Sequence, residues 1–420
     1  MKVLVVGSGG REHVVCWKLK ETGKVDELYC APGNGGIASV AKLVDIKATE
    51  VDKLVEFAKS GNFDLVFVAP EDPLALGLVD KLEAAGIRAF GPSAAAAIIE
   101  SSKAFSKNLM KKYNIPTAKY ELFDNEEDAI AYLKTQPMPI VIKCDGLALG
   151  KGVIIAKTLE EAEQAVKSMM SGRAFGEAGN TVVIEECMTG PELTILAFAD
   201  GKTAVPMISS RDHKRVFDHD EGLNTGGMGA VTPGADLSDE DMQKIKETII
   251  TPTIEALKAE RRAFKGVIYF GLMLTPEGAK VVEYNCRFGD PEVQAILPLL
   301  ETDFLDIINA CIDGTLSDID IKWRRKCSCV VVMASGGYPE HYEKGYEITG
   351  IDTCGKLVFQ AGTRLDGEKL VTNGGRVLCV YDEGDTLDEA IDGAYEGVKK
   401  INFKDAHYRT DIGRTLGANK

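Results

Sequence analysis
Short apolar runs that end in glycine, proline or charge alternate with stretches of helical period through the first hundred residues. KVLVV near the start predicts a buried strand. GSGGREH leads from it into a helix whose apolar face includes Val14, Val15 and Leu19. A second strand over residues 27–30 ends in Ala31-Pro32-Gly33-Asn34, and Asn34-Gly35-Gly36 makes a second loop. A third strand, within DLVFVAPEDPL (residues 64–74), ends in Pro70-Glu71-Asp72 before another helix. A short strand over 88–90 and the Gly91-Pro92 break close the unit. Strands alternating with helices predict an open parallel α/β sheet. Three loops at strand carboxyl ends fall where such sheets bind ligands, unless each is only a tight turn.

The pattern then changes. Residues 101–113 predict a helix carrying Lys103 and Lys107, and residues 114–117 end it. PIVIKCDG predicts a strand ending in polar residues, GLALGKG a glycine-rich turn, VIIA a return strand, and residues 159–170 a helix. TVVIEECM (181–188) predicts another strand, closed by Thr189-Gly190. SRDHKRVFDHDEGLNTGGMGA (210–230) predicts a long irregular loop, and loops of that length are usually functional. Residues 238–262 predict a helix broken or kinked near Pro252. FKGVIYFGLMLT and AKVVEYNC predict a hairpin around Pro276-Glu277-Gly278. In the last hundred residues CSCVVVMAS, 356–360 and 376–381 predict strands and 386–400 a helix. This small α+β segment shows no chemistry beyond glycine-rich turns.

A chain of 420 residues, 45% hydrophobic and 27% charged, fits a soluble globular protein of more than one domain. The formal charge of −15 argues against nucleic acid as a partner, because phosphate backbones are held by surplus Lys and Arg. No apolar run approaches a membrane span, and Met1 opens directly onto a strand, so neither a membrane segment nor an export leader is expected. The ten cysteines include no C-x-x-C pair and sit mostly in apolar runs. Reduced thiols and a cytoplasmic location are expected.

Candidate chemistry concentrates in VVEYNCRFGDPE (281–292). On a strand with a period of two, Glu283, Asn285 and Arg287 share one face while Tyr284 and Cys286 share the other. A carboxylate and an amide oxygen two residues apart make a partial shell for Mg²⁺, which takes its other ligands from phosphates and water. Arg287 beside them suits a carboxylate or phosphate. Asp290 as N-cap and Pro291 at the first position predict a helix thereafter. The alternative is a buried strand with polar residues at its end.

Elsewhere, GSGGREH has Glu12 where a dinucleotide fingerprint needs its third glycine, and no acid closes the second strand. GLALGKG fails as a P-loop, because a strand follows it and no Ser or Thr follows Lys151. A glycine-rich flap that closes over phosphates through its N–H groups and Lys151 is the better reading, with a plain surface hairpin as the other. Lys143 ends an apolar strand and needs an anionic partner there. Glu192 suits ribose hydroxyls, or is only part of a solvated acidic turn. His213 and His219 lack the cysteine partners and spacing of a zinc site, so the mixed-charge loop around them suits a phosphorylated substrate better.

Together these motifs resemble the ATP-grasp ligases, and within them the phosphoribosylamine–glycine ligase family. The resemblance rests on GGREH at Gly9, NGG at Asn34, APEDPL at Ala69, ESSKAF at Glu100 and PIVIKCDGLALGKGV at Pro139. It continues in VVIEE at Val182, DHKR at Asp212, NTGGMGA at Asn224 and NCRFGDPE at Asn285. Arg211 and Val231 depart from the family's usual Gln and Tyr. The resemblance implies an α/β fold of three domains. These are an open parallel N-terminal domain (1–100), an ATP-grasp α+β domain (101–325) with a small mobile lid at about 120–188, and a small C-terminal α+β domain (326–420).

It also implies ligation of glycine to 5-phosphoribosylamine with ATP, through glycyl phosphate, in purine synthesis; the alternatives are another ATP-grasp carboxylate–amine ligase of purine metabolism, or a non-catalytic nucleotide-binding module. ATP would be held by Lys103, Lys143, Asp145, Gly150, Lys151, Glu185, Glu186, Cys187, Met188 and Glu192. Glu283 and Asn285 would bind Mg²⁺ or Mn²⁺, and Arg287, Asp212 and Lys143 would be catalytic, with Arg287 and Asp212 gripping glycine. Gly9, Gly10, Arg11, Asn34, Gly35, Glu71, Lys214, Asn224, Thr225 and Gly226 would hold phosphoribosylamine. The implied partners are these small molecules alone, with no nucleic acid and no membrane. A monomer is expected, with a dimer as the alternative.

Overall fold
The computed structural model describes residues 1–146, 152–171 and 179–414. KVLVV forms the central strand of a parallel sheet ordered Lys42–Leu43, Glu27–Pro32, Lys2–Gly7, Leu65–Val68, Ala89–Phe90. Its run is unbroken because both faces are covered. Leu4 and Val6 pack into one core with Leu54 and Leu78, while Val3 and Val5 pack on Val14, Val15 and Leu19 across the other face.

Two four-stranded antiparallel sheets follow. The first is ordered Tyr120–Phe123, Val182–Glu186, Ile140–Cys144, Val153–Ala156. Helices Glu126–Leu133 and Leu159–Met170 cover one face through Ile140, Ile142, Val182 and Ile184. By strand parity the other face carries Val141, Lys143 and Glu185 into a cleft. The second sheet is ordered Ala204–Pro206, Glu192–Asp200, Lys265–Thr275, Gly278–Asn285.

The last sheet is ordered Arg211–Asp212, Gly229–Thr232, Cys327–Ala334, Arg376–Gly384, Leu357–Gln360, with helix Leu387–Val398 against it. Two of its strands therefore come from the middle of the chain. The segment read as an irregular loop is thus partly regular. It leaves this sheet at Asp212, forms a hairpin of Arg215–Phe217 with Glu221–Asn224, and returns at Gly229. Its strands are short, and Glu221–Asn224 is exposed, so no apolar alternation announces them.

The helix expected over 101–113 forms as Lys103–Lys112, preceded by a separate helix, Ala94–Ser101. Ser102 breaks away in an extended conformation, and its hydroxyl caps the second helix by accepting from the Phe105 N–H at 3.0 Å. The helix after the 281–292 motif runs Glu292–Ile296 with Pro291 in the cap position, so Asp290 is not its N-cap. The Asp290 carboxylate instead accepts from Gln294 Nε2 (2.8 Å) and from the Arg11 N–H (3.2 Å). The expected break near Pro252 takes the form of a π-helical stretch, Lys246–Ile250, between helices Asp239–Ile245 and Thr251–Ala259.

Candidate active site
A cleft of about 770 Å³ opens where these sheets meet the carboxyl edge of the parallel sheet. Its floor is the end of strand Gly278–Asn285. Glu283, Asn285 and Arg287 face the cleft, while Tyr284 and Cys286 are buried in the apolar core behind, as the period of two requires. A β-bulge aids this placement. Gly271 pairs with Glu283 but Leu272 pairs with Val281, which leaves Val282 without a partner residue. The freed Val282 carbonyl accepts from Lys143 Nζ at 3.1 Å. Asn285 Nδ2 donates to the Tyr284 carbonyl at 2.7 Å, which turns one amide group inward and leaves Oδ1 as a donor atom for a cation.

Lys143 finds the anionic partner its burial demands. The Glu185 carboxylate, 4% exposed, is shared between the ammonium groups of Lys143 and Lys107. Burial works against the charge of Glu185, yet Lys143 and Lys107 outweigh it and hold the carboxyl below the usual range. Glu185 lines the cleft where ATP is expected, with each oxygen against a lysine ammonium. Lys107 projects from helix Lys103–Lys112 one turn after Lys103, a spacing that places both on one face. Lys103 Nζ donates to the Gly146 carbonyl at 2.8 Å. Asp145, by contrast, is not among the described residues that line the cleft. Its carboxylate caps the same helix, accepting from the Ala104 N–H (3.1 Å) and Ser102 Oγ (3.2 Å). Glu186, Cys187, Met188 and Glu192 form the adjoining edge, with Glu186 accepting from the Lys119 N–H at 3.0 Å. Gly150 and Lys151, and with them the expected flap, lie outside the described residues.

Arg287 is more heavily engaged than its sequence position suggests. Nε donates to Glu71 at 3.1 Å, one terminal nitrogen to Glu100 at 2.8 Å and the other to the Phe288 carbonyl at 3.2 Å. A guanidinium has five N–H groups, so two remain without a partner among the described residues. Burial works against the charge of Glu71, but Arg287 and Arg11 outweigh it and hold the carboxyl down at about 2. Burial pushes the Glu100 carboxyl up.

Across the cleft, Asp212 and Lys214 meet Glu192, Glu283 and Glu292. Lys214 Nζ lies 3.5 Å from Glu192 and 3.7 Å from Glu283. Burial opposes its charge, but Asp212, Glu192 and Glu283 outweigh that and hold the ammonium well above the usual lysine range. Burial pushes the Asp212 carboxyl up to about 7 against the pull of Lys214, and the charges of Glu292, Glu192 and Glu283 add to the rise. Thr225 turns back on Lys214, whose carbonyl accepts from the Thr225 N–H and hydroxyl, both at 2.8 Å.

The loops of the parallel sheet divide in two. Arg11 and Glu71 line the cleft, but Gly9, Gly10, Asn34 and Gly35 do not. The helix N-terminus after GSGG is already occupied by anions, because the Glu12 carboxylate accepts from the Gly9 N–H and Asp290 from the Arg11 N–H. Glu12, read as a missing glycine, is thus an internal cap. Asn34 is saturated. Its amide donates to the carbonyls of Gln360 (2.8 Å) and Ser8 (2.9 Å) and accepts from the N–H groups of Gly36 and Ile37. Gly35 donates to the Thr363 carbonyl at 3.2 Å, and a side chain there would collide with Leu370. These residues fasten the first sheet to the last.

Sequence reasoning passed over Glu100, Lys107 and Glu292 as site residues, although all three fall within or beside its motifs. It had no signal at all for Tyr338 and Arg376, which line the cleft from the C-terminal segment. Arg376 donates to the carbonyls of Gly226 and Asp290, both at 2.7 Å, and Tyr338 Oη accepts from the Gly226 N–H at 3.1 Å.

The chemistry suits a nucleotide and a divalent cation. Glu283 and Asn285 offer two hard oxygen donors. Among the described residues no group of three His, Cys, Asp or Glu side chains is placed to hold a metal alone. No helix of the described residues is long and apolar enough to cross a membrane.

Comparison with known proteins identifies the family. Family models for phosphoribosylglycinamide synthetase match the N domain at residues 1–100, the ATP-grasp (A) domain at 101–293 and the C domain at 328–415. The phosphoribosylamine–glycine ligase of Clostridium acetobutylicum is 47% identical over 415 residues, spanning 99% of this chain and 100% of that one. The enzyme of the same name from Caldanaerobacter subterraneus is 47% identical over 413 residues, 98% of this chain and 99% of that one. The crystal structure of the Thermotoga maritima phosphoribosylamine–glycine ligase superposes with a TM-score of 0.89 at 33% identity, covering 98% of this chain and 100% of that one. A biotin carboxylase from Campylobacter jejuni shares the fold alone, with a TM-score of 0.74 at 14% identity over 97% of this chain and 93% of that one. By sequence, domain content and structure, the chain belongs to the phosphoribosylglycinamide synthetase family.

Proposed function
We propose that the cleft carries out its family's reaction: ATP, glycine and 5-phosphoribosylamine give ADP, phosphate and N1-(5-phosphoribosyl)glycinamide. A carboxylate is a poor acyl donor because oxide is a poor leaving group. In the reaction a glycine oxygen attacks the γ-phosphorus and ADP departs. The amine of phosphoribosylamine then attacks the acyl carbon, and phosphate leaves with the oxygen that had bonded to phosphorus.

The observation that supports this best is the convergence of Glu283, Asn285 and Arg287 with Lys143 and Lys214 on one cleft. Burial pushes the thiols of Cys187 and Cys286 up, and Cys286 lies in the core behind the strand. Phosphoryl transfer asks mainly for positioning and charge neutralisation, which lysines and hard oxygens supply. In this reading Lys103 and Lys143 hold ATP phosphates, Glu186 to Met188 and Glu192 hold the nucleoside end, and Glu185 and Lys107 keep Lys143 in place. Mg²⁺ or Mn²⁺ bound by Glu283 and Asn285 would neutralise charge on the phosphate oxygens. Arg287 has two N–H groups left for the glycine carboxylate, and Asp212 is placed for its ammonium. Lys214, Arg11 and the Asn224–Gly226 turn hold the phosphoribosylamine. Gly9, Gly10, Asn34 and Gly35 act through the frame, by fixing Arg11 and the first sheet. The same reading places the protein in the cytoplasm, where its ten free cysteines stay reduced.

The test is ADP release from purified protein with the substrates offered singly and together. Release should require glycine and phosphoribosylamine at once and yield one glycinamide product per ADP. Release driven by bicarbonate or formate in place of glycine would overturn the reading.

A further inference from the structure
The last segment of the described chain has no regular structure, yet it is pinned along its length. His407 exchanges backbone hydrogen bonds with Ala334 at 2.8 and 2.7 Å, which ties the segment to the last sheet. The Tyr395 hydroxyl donates to the Arg409 carbonyl (2.7 Å) and accepts from the Ile412 N–H (3.0 Å), which ties it to the last helix. Its polar ends then point away from its own domain, at the hairpin between Asp212 and Gly229. His407 Nε2 meets the Val216 carbonyl at 2.8 Å. Arg409 donates to the Asp220 carboxylate (2.8 Å) and the Arg215 carbonyl (3.2 Å). The Thr410 N–H donates to Asp218 (2.8 Å), Asp411 accepts from the His219 N–H (2.8 Å), and the Gly413 N–H donates to His213 Nε2 (3.1 Å).

The hairpin needs such support. Its two strands pair only at Arg215 with Asn224 and Phe217 with Glu221, with an irregular register between. Its turn holds two consecutive non-glycine residues in the left-handed region, His219 at φ 61° and Asp220 at φ 56°. That conformation persists only where surroundings over-determine it. Here the His219 N–H is taken by Asp411 and the Asp220 carboxylate by Arg409. Arg409 is itself fully buried, and its fork grips Asp411 at 2.7 and 2.8 Å. A buried ion pair adds little net stability over an apolar pair, so its use here is to fix geometry. The geometry it fixes reaches the cleft, because Arg215, Asp220, Asn224 and Thr225 line the cleft from this hairpin and Lys214 from its base.

We propose that residues 407–413 form a strap that positions the phosphoribosylamine side of the cleft, with Arg409 and Asp411 as its positioning residues. The substrate named rests on the function proposed above.

The experiment is Asp411→Asn in the full-length protein, read by substrate kinetics and by amide hydrogen exchange over residues 213–225. Exchange there should speed up without substrate. The KM for phosphoribosylamine should rise about tenfold, with kcat at saturation and the KM values for ATP and glycine within about twofold of wild type, the signature of lost uniform binding. Adding His219→Gly, which removes one strained φ, should recover part of that KM. If Asp411→Asn does not fold, Thr410→Val removes a single tie, the hydrogen bond from the Thr410 hydroxyl to the Asp218 carboxylate, and should shift exchange and KM in the same directions by less. Unchanged exchange and KM alongside a lowered melting temperature would overturn the proposal and leave the strap a part of the fold alone. Faster hairpin exchange with a raised KM for ATP or glycine instead would leave the strap standing and overturn the assignment of phosphoribosylamine to that wall.

Discussion

On one wall of the cleft Lys143 and Glu185 project from adjacent strands of one sheet, and Glu283 from the strand they face. Each is fixed by its own ladder and by a neighbour such as Lys107 or the Val282 carbonyl. On the other wall Lys214, Asp220 and Gly226 ride on a short hairpin and a turn. The anchors of that wall, Tyr338, Arg376 and Arg409, lie 112 to 189 positions further along the chain. The first wall is rigid by construction and suits phosphoryl transfer, which tolerates little misplacement. The second is held from a distance by the last sheet, so a loosened C-terminal segment should cost substrate affinity and spare the nucleotide.

The largest expected effect belongs to the first wall. Glu283→Ala removes the carboxylate of the proposed metal pair and should lower turnover by about a thousandfold or more, a loss of the size seen when charge stabilisation in a transition state is removed. Circular dichroism should stay native, and substantial activity at ordinary Mg²⁺ would refute the assignment. Glu185→Gln leaves Lys107 and Lys143 buried beside a neutral group, and should destabilise the fold by ~3–5 kcal/mol and raise the KM for ATP. An unchanged melting temperature would mean that the wall does not depend on its shared carboxylate.

The second wall should respond more mildly. Arg376→Lys keeps the charge but displaces the one terminal nitrogen that binds the carbonyls of Gly226 and Asp290, and loses the other, which lies 3.4 Å from the Asp290 carboxylate. The KM for phosphoribosylamine should rise about tenfold, equivalent to ~1.4 kcal/mol, while the KM for ATP holds. An equal rise in both would erase the distinction between the walls.

Acid should loosen the same long-range seam. His13 Nδ1 accepts from the Gln360 N–H at 2.8 Å, and His213 Nε2 accepts from the Gly413 N–H. Burial holds both imidazoles down at about 4, and Arg409 and Arg211 add to the effect at His213. The folded state refuses protons that the unfolded chain takes up near 6.5, so this stability is full above 6.5 and is lost as pH falls toward 4. The melting temperature should begin to fall below pH 6.5, before most carboxylates titrate, and His13→Asn should flatten that limb. A flat profile from 7 to 5 in the wild-type protein would contradict it. The smallest effect is expected at Cys286, where Cys286→Ser should keep activity within about twofold and lose ~1 kcal/mol from a buried site. A trapped glycyl thioester there would show that the residue is chemical after all.

Much of the first wall was legible in the sequence because its logic is local. A period of two sorts Glu283, Asn285 and Arg287 from Tyr284 and Cys286, and the apolar strand around Lys143 announces a buried cation that needs a partner. What escaped depends on contacts distant in sequence. Nothing near Asn34 reveals that Gln360 takes its amide, and nothing near Arg376 reveals that Gly226 and Asp290 lie beside it. Glu12 misled in another way. Absence of a third glycine argues correctly against a dinucleotide site, but the side chain that replaces it fills the helix N-terminus that the glycines appeared to leave open. The hairpin after Asp212 escaped because strands of three and four residues, the second wholly exposed, leave no alternation to read.

The central claim is that the two walls serve one sequence of steps, in which a glycine oxygen bonds to phosphorus before the amine arrives. Glycine labelled with ¹⁸O in both carboxylate oxygens tests it most directly, with the released phosphate analysed by mass. The account predicts one ¹⁸O in each phosphate formed, with the other retained in the amide. Phosphate free of label, formed in step with product, would mean that the carboxylate was never phosphorylated and would contradict the account.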